Sequence, residues 1–522
     1  MRATSVGHAG ILIESDGGSI LCDPWFVPAF FGSWFVFPRN DQLDDDLQRR
    51  IEQADYLYVS HLHGDHFDVP WLSEHLSRDI KVLLPGYPSR EQERRMRALG
   101  FHDIIRTEDG VEHDLGGISV AIHVETSITD GPGGDSALVV HDGVTRIVNQ
   151  NDCRTTDLDA LASHGPVDLH WLQYSGAIWY PMVYEETPER MRKLVDAKIE
   201  SQFARAMRYV ESLGATAVVP SAGPPCFLDE DLFHLNVIDG DELSIFWDQR
   251  TFLARLAEAG HRGLLAMPGT TFGVERSGIS VEHPIPGADV ESIWDRKESH
   301  LRAYQSDWAN WLKTEHERWH RPTTDLLATL SAWWEPLMRM APTLRGAIGA
   351  PCLLRAGHLE ILLDFTSCQV RAFAGEEHRF RFDIPRELVE TVADEKAVDW
   401  SNSLFLSCRF SAWRDGEFNE YLYNFFKSLS VERMRRTEAE AKRKLDPPTE
   451  SEPDVQIGDY VVARRCPHRN ADLSVFGEIE QVEGCDQLVC TLHGWRFDLA
   501  TGECLTSANH PLRVRRASDA PT

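Results

Sequence analysis

The first 285 residues alternate short apolar, β-branched runs with stretches of helical spacing. "AGILIE", "SILCDPW", "DYLYVSH", "KVLLPG", "ISVAIHVE", "SALVVHDG" and "TRIVNQND" read as strands, by alternation or by β-branched content. Helical patterns stand between them, over 88–99 and over 187–213. The second opens at Thr187-Pro188-Glu189, an N-cap residue followed by proline at the first helical position. Sheets covered by helices, a layered α/β design, follow from this order. From 286 the texture is mixed. "WDRKESHLRAYQSDWANWLKTEHERW" and "TDLLATLSAWWEPLMRM" read as helices, while "PCLLRAGHLEILLDFTSCQVRAF" and "HRFRFDIP" read as strands. "GEFNEYLYNFFKSLSVERMRRTEAEAKRK" reads as one long closing helix, with Glu438–Lys442 and Glu440–Lys444 spaced i,i+4 on a solvated face. "DPPTESEPD", 446–454, holds three prolines and no apolar residue, the mark of a linker. The remainder is short-stranded and β. The expected division is a layered α/β domain at 1–285, a mixed α+β region at 286–445, the linker, and a small all-β domain at 455–522.

A chain of 522 residues exceeds one ordinary core. Its 42% apolar and 26% charged residues are those of a soluble globular protein, and no apolar run reaches the roughly 18–20 residues of a membrane helix. The N-terminus carries one Arg and then an alternating strand without a small-residue cleavage site, unlike a signal peptide. A net charge of −29 argues against nucleic acid or an anionic membrane as partner. The ten cysteines are scattered, and Cys22, Cys352 and Cys408 sit in apolar runs, which suits reduced thiols in the cytoplasm.

Two stretches carry chemistry. Near the C-terminus, Cys466-Pro467-His468 and Cys490-Thr491-Leu492-His493 spell C-x-H and C-x2-H. A [2Fe–2S] cluster with two thiolates on one iron and two imidazoles on the other needs two loops, each giving one ligand of each kind. A zinc finger instead pairs Cys with Cys and His with His. The stretch resembles the Rieske domain, which implies Cys466, His468, Cys490 and His493 as cluster ligands. Neither loop has the extra cysteine that staples respiratory Rieske proteins, since Cys485 and Cys504 lie elsewhere, and this resembles the oxygenase or ferredoxin type. Asn470 stands where that family usually has Gly.

The other stretch is "SHLHGDHFD", 60–68, in which His61, His63, Asp65 and His66 follow the strand "YLYVS". Four such groups within six residues are a metal nest rather than ordinary core or surface polarity. The motif resembles that of the metallo-β-lactamase fold, an αββα sandwich. The resemblance implies His61 and His63 on one metal, Asp65 and His66 on a second, then His123 of "AIHVETS" and a bridging Asp152 of "IVNQNDC". The last ligand of that fold, a His after a strand, is replaced by Ala222 in "AVVPSAGPP". The second metal then has an open position or borrows from Asp229, Glu230, Asp231 or His234. His8 of "VGHAG" is expected as a pocket group beside the metals. The aromatic run from Trp25 to Phe37 is either core or a lid, "YSGAIWYP" is a pocket lining or core, and His170 with Trp171 is core or an outer support of the site.

Imidazole and carboxylate ligands with an open position suit non-haem iron as well as zinc. Iron that activates O2 for monooxygenation needs electrons, and a Rieske cluster delivers them singly. "CDPWFVPAFFGSWFVFP", "NQNDC" and "VVPSAGPP" resemble stretches of the CMP-N-acetylneuraminate hydroxylases, although those carry the Rieske domain first. The resemblance implies two non-haem irons besides the [2Fe–2S] cluster. It also implies a reductase or ferredoxin as donor, O2 and a small polar metabolite as reactants, and electron transfer within the chain or across a homo-oligomer. The rivals are a binuclear zinc hydrolase with a regulatory Rieske domain, an O2 or NO reductase, and an electron carrier with a vestigial nest.

Overall fold

The computed structural model describes residues 1–126, 134–319, 325–445, 452–468, 470–482, 484–491, 495–506 and 510–519. The predicted ligand His493 and linker residues 446–451 lie outside these.

The chain divides into two compact units, residues 1–178 with 188–317 and residues 179–187 with 318–522. The first contains, among the described residues, two sheets. One is built from β1 (Arg2–Gly7), β2 (Gly10–Ser15), β3 (Gly18–Cys22), β4 (Tyr56–Tyr58), β5 (Lys81–Leu84) and β6 (Ile104–Arg106). The other comprises β7 (Glu112–Asp114), β8 (Ser119–Glu125), β9 (Asp135–His141), β10 (Arg146–Asn151), β11 (Leu169–Gln173) and β12 (Ala217–Ser221). A hairpin of β13 (Thr271–Glu275) and β14 (Gly278–Glu282) extends the first sheet beyond β1, giving the orders β14-β13-β1-β2-β3-β4-β5-β6 and β12-β11-β10-β9-β8-β7.

Alternation along the strands sorts the side chains into layers. Ile11, Ile13, Ile20, Tyr58 and Leu83 of one sheet meet Val120, Ile122, Leu138, Ile147 and Trp171 of the other. The opposite faces are covered by helices. Leu12, Leu21, Leu57 and Val82 pack on Leu47, Ile51, Leu72 and Met96, while Ala121, Val139 and Val148 pack on Leu161 and Leu213. This is the expected αββα sandwich. Strands β3 to β6 run parallel, and helices Asp45–Glu52, Val69–His75 and Glu91–Ala98 make the crossovers that parallel pairing demands.

The domain boundary differs from the sequence expectation. Helices Gly287–Asp295 and Lys297–Arg318 fall in the region expected to be mixed, yet Val290, Trp294, Leu301, Tyr304 and Leu312 pack with Phe35, Phe37, Leu228 and Phe233 in the first unit. Their apolar stripe says that a face is buried, not against what. "YSGAIWYP" is divided too. Tyr174 is buried in the first unit, its hydroxyl 3.1 Å from the Trp247 carbonyl, while Trp179 packs against Phe405, Phe410 and Tyr423 in the second.

In the second unit β15 (Cys352–Ala356), β16 (Leu359–Asp364), β17 (Gln369–Ala372), β18 (Phe380–Ile384) and β19 (Ser411–Arg414) form a sheet in the order β17-β16-β15-β18-β19. The long closing helix of the sequence reading is two helices, Glu420–Phe426 and Val431–Leu445. The break falls at the serines. Ser430 Oγ accepts from Arg433 N at 3.3 Å, and Ser428 Oγ lies 2.5 Å from Thr437 Oγ, local bonds that compete with helix continuation. The small β domain has β20 (Val455–Ile457), β21 (Tyr460–Val462) and β25 (Val514–Arg516) in one ladder and β22 (Gly477–Val482), β23 (Cys485–Cys490) and β24 (Trp495–Asp498) in another. No helix of the described residues is long and apolar enough to cross a membrane.

His170 and Trp171 are core, as one of the two expected readings had it. Trp171 faces the other sheet, and His170, fully buried on the opposite face of β11, places Nε2 2.9 Å from Gln150 Oε1. Burial lowers its pKa to about 3. In the unfolded chain the same group titrates near 6.5 (about), so the unfolded form takes up a proton first as pH falls. The stabilisation is therefore complete above about pH 6.5 and is lost progressively toward about pH 3. We expect thermal melting of wild type to decline over that window and His170→Gln to decline less steeply. Parallel curves for the two proteins would refute the role given to His170.

Candidate metal centre and cluster site

The nest forms where strands of both sheets end. After β4 the chain makes one tight turn, with His66 N and Phe67 N both donating to the His63 carbonyl at 3.0 and 2.8 Å, and this folds His61, His63, Asp65 and His66 onto one another. His61 Nε2 lies 2.7 Å from His63 Nδ1, and the His61 and His66 rings are 4.1 Å apart. Asp152 enters from the end of β10, its Oδ1 3.5 Å from His66 Nε2. Two groups have potential ligand atoms within 4.8 Å of one another: His61, His66 and Asp152, and His8, Asp65 and His66.

His8 is the addition. It stands between β1 and β2 with φ 52°, and its Nε2 lies 3.1 Å from Asp65 Oδ2. Its carbonyl accepts from Ala222 N at 3.0 Å, so the imidazole reaches the nest from the hairpin beside the strand end that lacks its histidine. The acids and histidine considered for that role are engaged elsewhere or turned outward. Asp229 lies 2.7 Å from His316, Glu230 binds Arg302 at 2.8 Å and Gln305 at 3.1 Å, and Asp231 and His234 are exposed.

His123 does not join the nest in this structure. Val120 and Ile122 face the inter-sheet core, so Ala121 and His123 take the outer face of β8, where His123 Nε2 lies 2.7 Å from His164 Nε2. Strand alternation decides this, and its register could not be read from the motif order.

Outer carboxylates, which the sequence reading did not single out, orient the nest. Asp23, fully buried, accepts from Ser60 N at 2.7 Å through Oδ1 and lies 3.3 Å from His66 Nδ1 through Oδ2. Asp135 Oδ1 lies 3.3 Å from His61 Nδ1. Pairing a ligand imidazole's far nitrogen with a carboxylate fixes its ring and raises its basicity. "CDP" and "GDS" are too common as turns to flag either residue.

Burial disfavours every charge here, and the neighbours decide which prevail. Asp152 and Asp65 outweigh burial and hold His66 well above its ordinary pKa, and Asp135 does the same to a smaller extent for His61. Burial and the adjacent His61 push His63 well below. Asp65 is lowered despite burial by His66 and His8, and Asp152 by His66. Even so, Asp65 Oδ1, Asp152 Oδ1, His63 Nε2, His66 Nε2 and His8 Nδ1 are buried without a hydrogen-bond partner. Unsatisfied oxygens and ring nitrogens gathered at one point are a donor set that metal ions complete, so the residues fit the expected dimetal group.

The aromatic run divides in its contacts. Trp34 and Phe35 are core, whereas Ala29 Cβ and the Phe30 ring sit over Gly64, 3.6 Å from where a Cβ there would stand. Asp68 ties this segment to the nest: Oδ2 accepts from Phe26 N and Val27 N, both at 2.8 Å, while Oδ1 caps the helix that follows at Trp71 N.

At the other end Cys466 and Cys490 are fully buried. The first loop closes with Asn470 N on the Cys466 carbonyl and Cys466 N on the Ala471 carbonyl, both at 2.9 Å. Asn470 has φ 58°, the left-handed conformation that Asn tolerates better than most residues, which explains how it replaces Gly. His468 stacks on Trp495 with centroids 3.9 Å apart and planes at 7°, joining the two loops without a disulfide. All ten cysteines are unbridged. Two buried thiols and an imidazole on adjoining loops fit three of the four cluster ligands.

These features define a Rieske protein built on a metallo-β-lactamase fold. Residues 2–175 match the Beta-lactamase superfamily domain, 326–443 the Rv3818-like, SCP2-like domain and 455–514 the Rieske [2Fe-2S] domain. The chain belongs to a family of Rieske 2Fe-2S iron–sulfur proteins. It is 44% identical over 530 residues to a Mycolicibacterium smegmatis relative provisionally given that name, covering 99% of this chain and 100% of the relative. It is also 30% identical over 193 residues to the cytidine monophosphate-N-acetylneuraminic acid hydroxylase of Danio rerio, covering 35% of this chain and 30% of that one. Among solved structures, CmlA, a diiron β-hydroxylase from Streptomyces venezuelae, aligns with a TM-score of 0.35 and 15% identity over 54% of each chain.

Metal analysis tests the ligand set. We expect about two metal ions in the nest of the native chain. His8→Ala should lose about one of them and His123→Ala should keep both, while Asp23→Ala or Asp135→Ala should weaken binding by about 10–100-fold. Full occupancy in His8→Ala would remove His8 from the set.

Proposed function

We propose that the chain is a Rieske-fed non-haem di-iron monooxygenase that hydroxylates or N-oxygenates a small polar metabolite. The observation that carries this reading is the pairing, on one chain, of a buried histidine–carboxylate nest with a Rieske ligand set. A hydrolytic dimetal site has no use for a one-electron donor, whereas O2 activation requires one. Kinship over part of the chain to a hydroxylase of a sugar nucleotide supports it.

In this reading His61, His63, Asp65, His66 and Asp152, with His8 in place of the missing strand-end histidine, hold two irons. Cys466, His468, Cys490 and His493 would hold the [2Fe–2S] cluster, which would supply one-electron transfer from a reductase or ferredoxin. The irons supply the O2 chemistry. Asp23 and Asp135 keep the imidazoles of His66 and His61 aimed through the cycle, and Ser60, within 3.0 Å of His61 Nδ1 and 3.3 Å of His66 Nδ1, braces both. Trp25, edge-on to the His8 ring at 4.8 Å, and Phe30 over Gly64 keep bulk water from the nest.

Anaerobic isolation, quantitation of iron, zinc and sulfide, and then O2 uptake with a reductase and candidate substrates test the reading. We expect iron in both centres and product formation strictly dependent on O2 and reductant. His61→Ala should bring turnover to background while the cluster spectrum persists. Zinc in the nest with turnover in the absence of air and reductant would establish the hydrolase instead.

A further inference from the structure

The Rieske motif accounts for the cluster's ligands but not for what stands behind them. Helix Glu420–Phe426, within the region matched as SCP2-like, brings a carboxylate against the first cluster loop. Glu420 is 5% exposed. Its Oε2 lies 3.8 Å from His468 Nε2 and 3.2 Å from His510 Nε2, and its Oε1 lies 3.3 Å from Lys444 Nζ. Lys444 sits on the next helix and also meets Glu440 at 3.1 Å. His468 thus lies with its ring face on Trp495 and its Nε2 edge toward Glu420, at ion-pair rather than hydrogen-bond distance. The neighbours are locked in the same stack: His510 lies flat on Tyr421 at 4.8 Å and meets Trp495 edge-on at 4.8 Å.

An imidazole that ligates through one nitrogen offers its other N–H to a partner, and a carboxylate there fixes the ring and enriches the ligand. Here the nitrogen facing the carboxylate is Nε2. The ion pair with Lys444 keeps Glu420 charged inside the protein, where a lone carboxylate would be strongly disfavoured. Such a group is a fixed negative charge one imidazole away from the iron.

We propose that Glu420 is a positioning residue for the [2Fe–2S] cluster, setting its reduction potential through His468, with Lys444 and His510 holding the carboxylate in place. Reduction adds one electron to the cluster, taking a diferric pair to a ferric–ferrous pair, with no bond made or broken. The negative charge of Glu420 opposes that electron and lowers the potential, whereas Lys444 favours it. The SCP2-like domain is thereby the regulator of the cluster's driving force. The inference rests on the Rieske cluster alone and is independent of what the nest oxidises.

The test is a mediated titration of the full-length, cluster-loaded protein with dithionite, followed by visible circular dichroism and EPR. Glu420→Gln should favour the reduced form by about tenfold, or about 59 mV for one electron. Lys444→Gln should move the equilibrium a few-fold the other way, with the circular dichroism of the oxidised cluster unchanged in shape. Opposite shifts are the signature that a merely structural role would not give. An equilibrium within about twofold of wild type for Glu420→Gln, or shifts in the same direction for both variants, would overturn the proposal. Should Glu420→Gln lose its cluster, Lys444→Gln decides alone, and an unshifted equilibrium there overturns it. A wild-type chain without a Rieske EPR signal would overturn the cluster reading as well, an outcome visible before any variant is made.

Discussion

A buried carboxylate is tolerated only with something positive or hydrogen-donating against it, and the nest gathers Asp23, Asp65, Asp135 and Asp152 at one end of a sandwich. Each faces an imidazole: Asp23 and Asp152 face His66, Asp135 faces His61, and Asp65 faces His8. Ring nitrogens of His8, His63 and His66 and one oxygen each of Asp23, Asp65 and Asp152 are left unsatisfied, the donor set of the candidate metal centre. That mutual dependence fixes the spacing of the strand ends. It also explains the backbone there, where His8, Asp23, Asn151 and Ala222 are non-glycine residues at positive φ, from 38° to 52°. Such conformations cost about 1–3 kcal/mol each and persist where the surroundings over-determine them. Here the sandwich core behind the strands does so.

The cluster site solves the opposite problem. Cys466 and His468 lie on a loop of a small β domain, Cys490 ends β23, and no disulfide joins them. Flat stacking of His468 on Trp495 takes the place of a covalent staple, and Tyr421 and Glu420 extend the support from outside the Rieske fold. The SCP2-like region stands against the first Rieske loop through named side chains rather than at the end of a bare linker. The SCP2-like and Rieske regions of the second unit are thus not simply strung together.

The αββα sandwich and its strands were legible because alternation and β-branched content are local signals, and each quoted strand appears with its apolar face buried. The convergence of His61, His63, Asp65 and His66, and the pairing of Cys466 with His468 on one loop, were legible because their spacing is short enough that the chain itself brings them together. Asn470 needed the backbone to be understood, since a left-handed φ is invisible in the letters. Tertiary structure decided the rest. It moved helices 287–318 into the first unit, because an amphipathic stripe does not name its partner. Strand register turned His123 outward to His164. His8, more than two hundred residues upstream, comes to stand beside the strand end that lacks its histidine, and Asp23, Asp135 and Glu420 reach their imidazoles through contacts between segments far apart in the chain. Short-range spacing is written in the sequence, whereas long-range convergence is a property of packing, and in this protein packing chose which carboxylates stand behind each histidine of the nest.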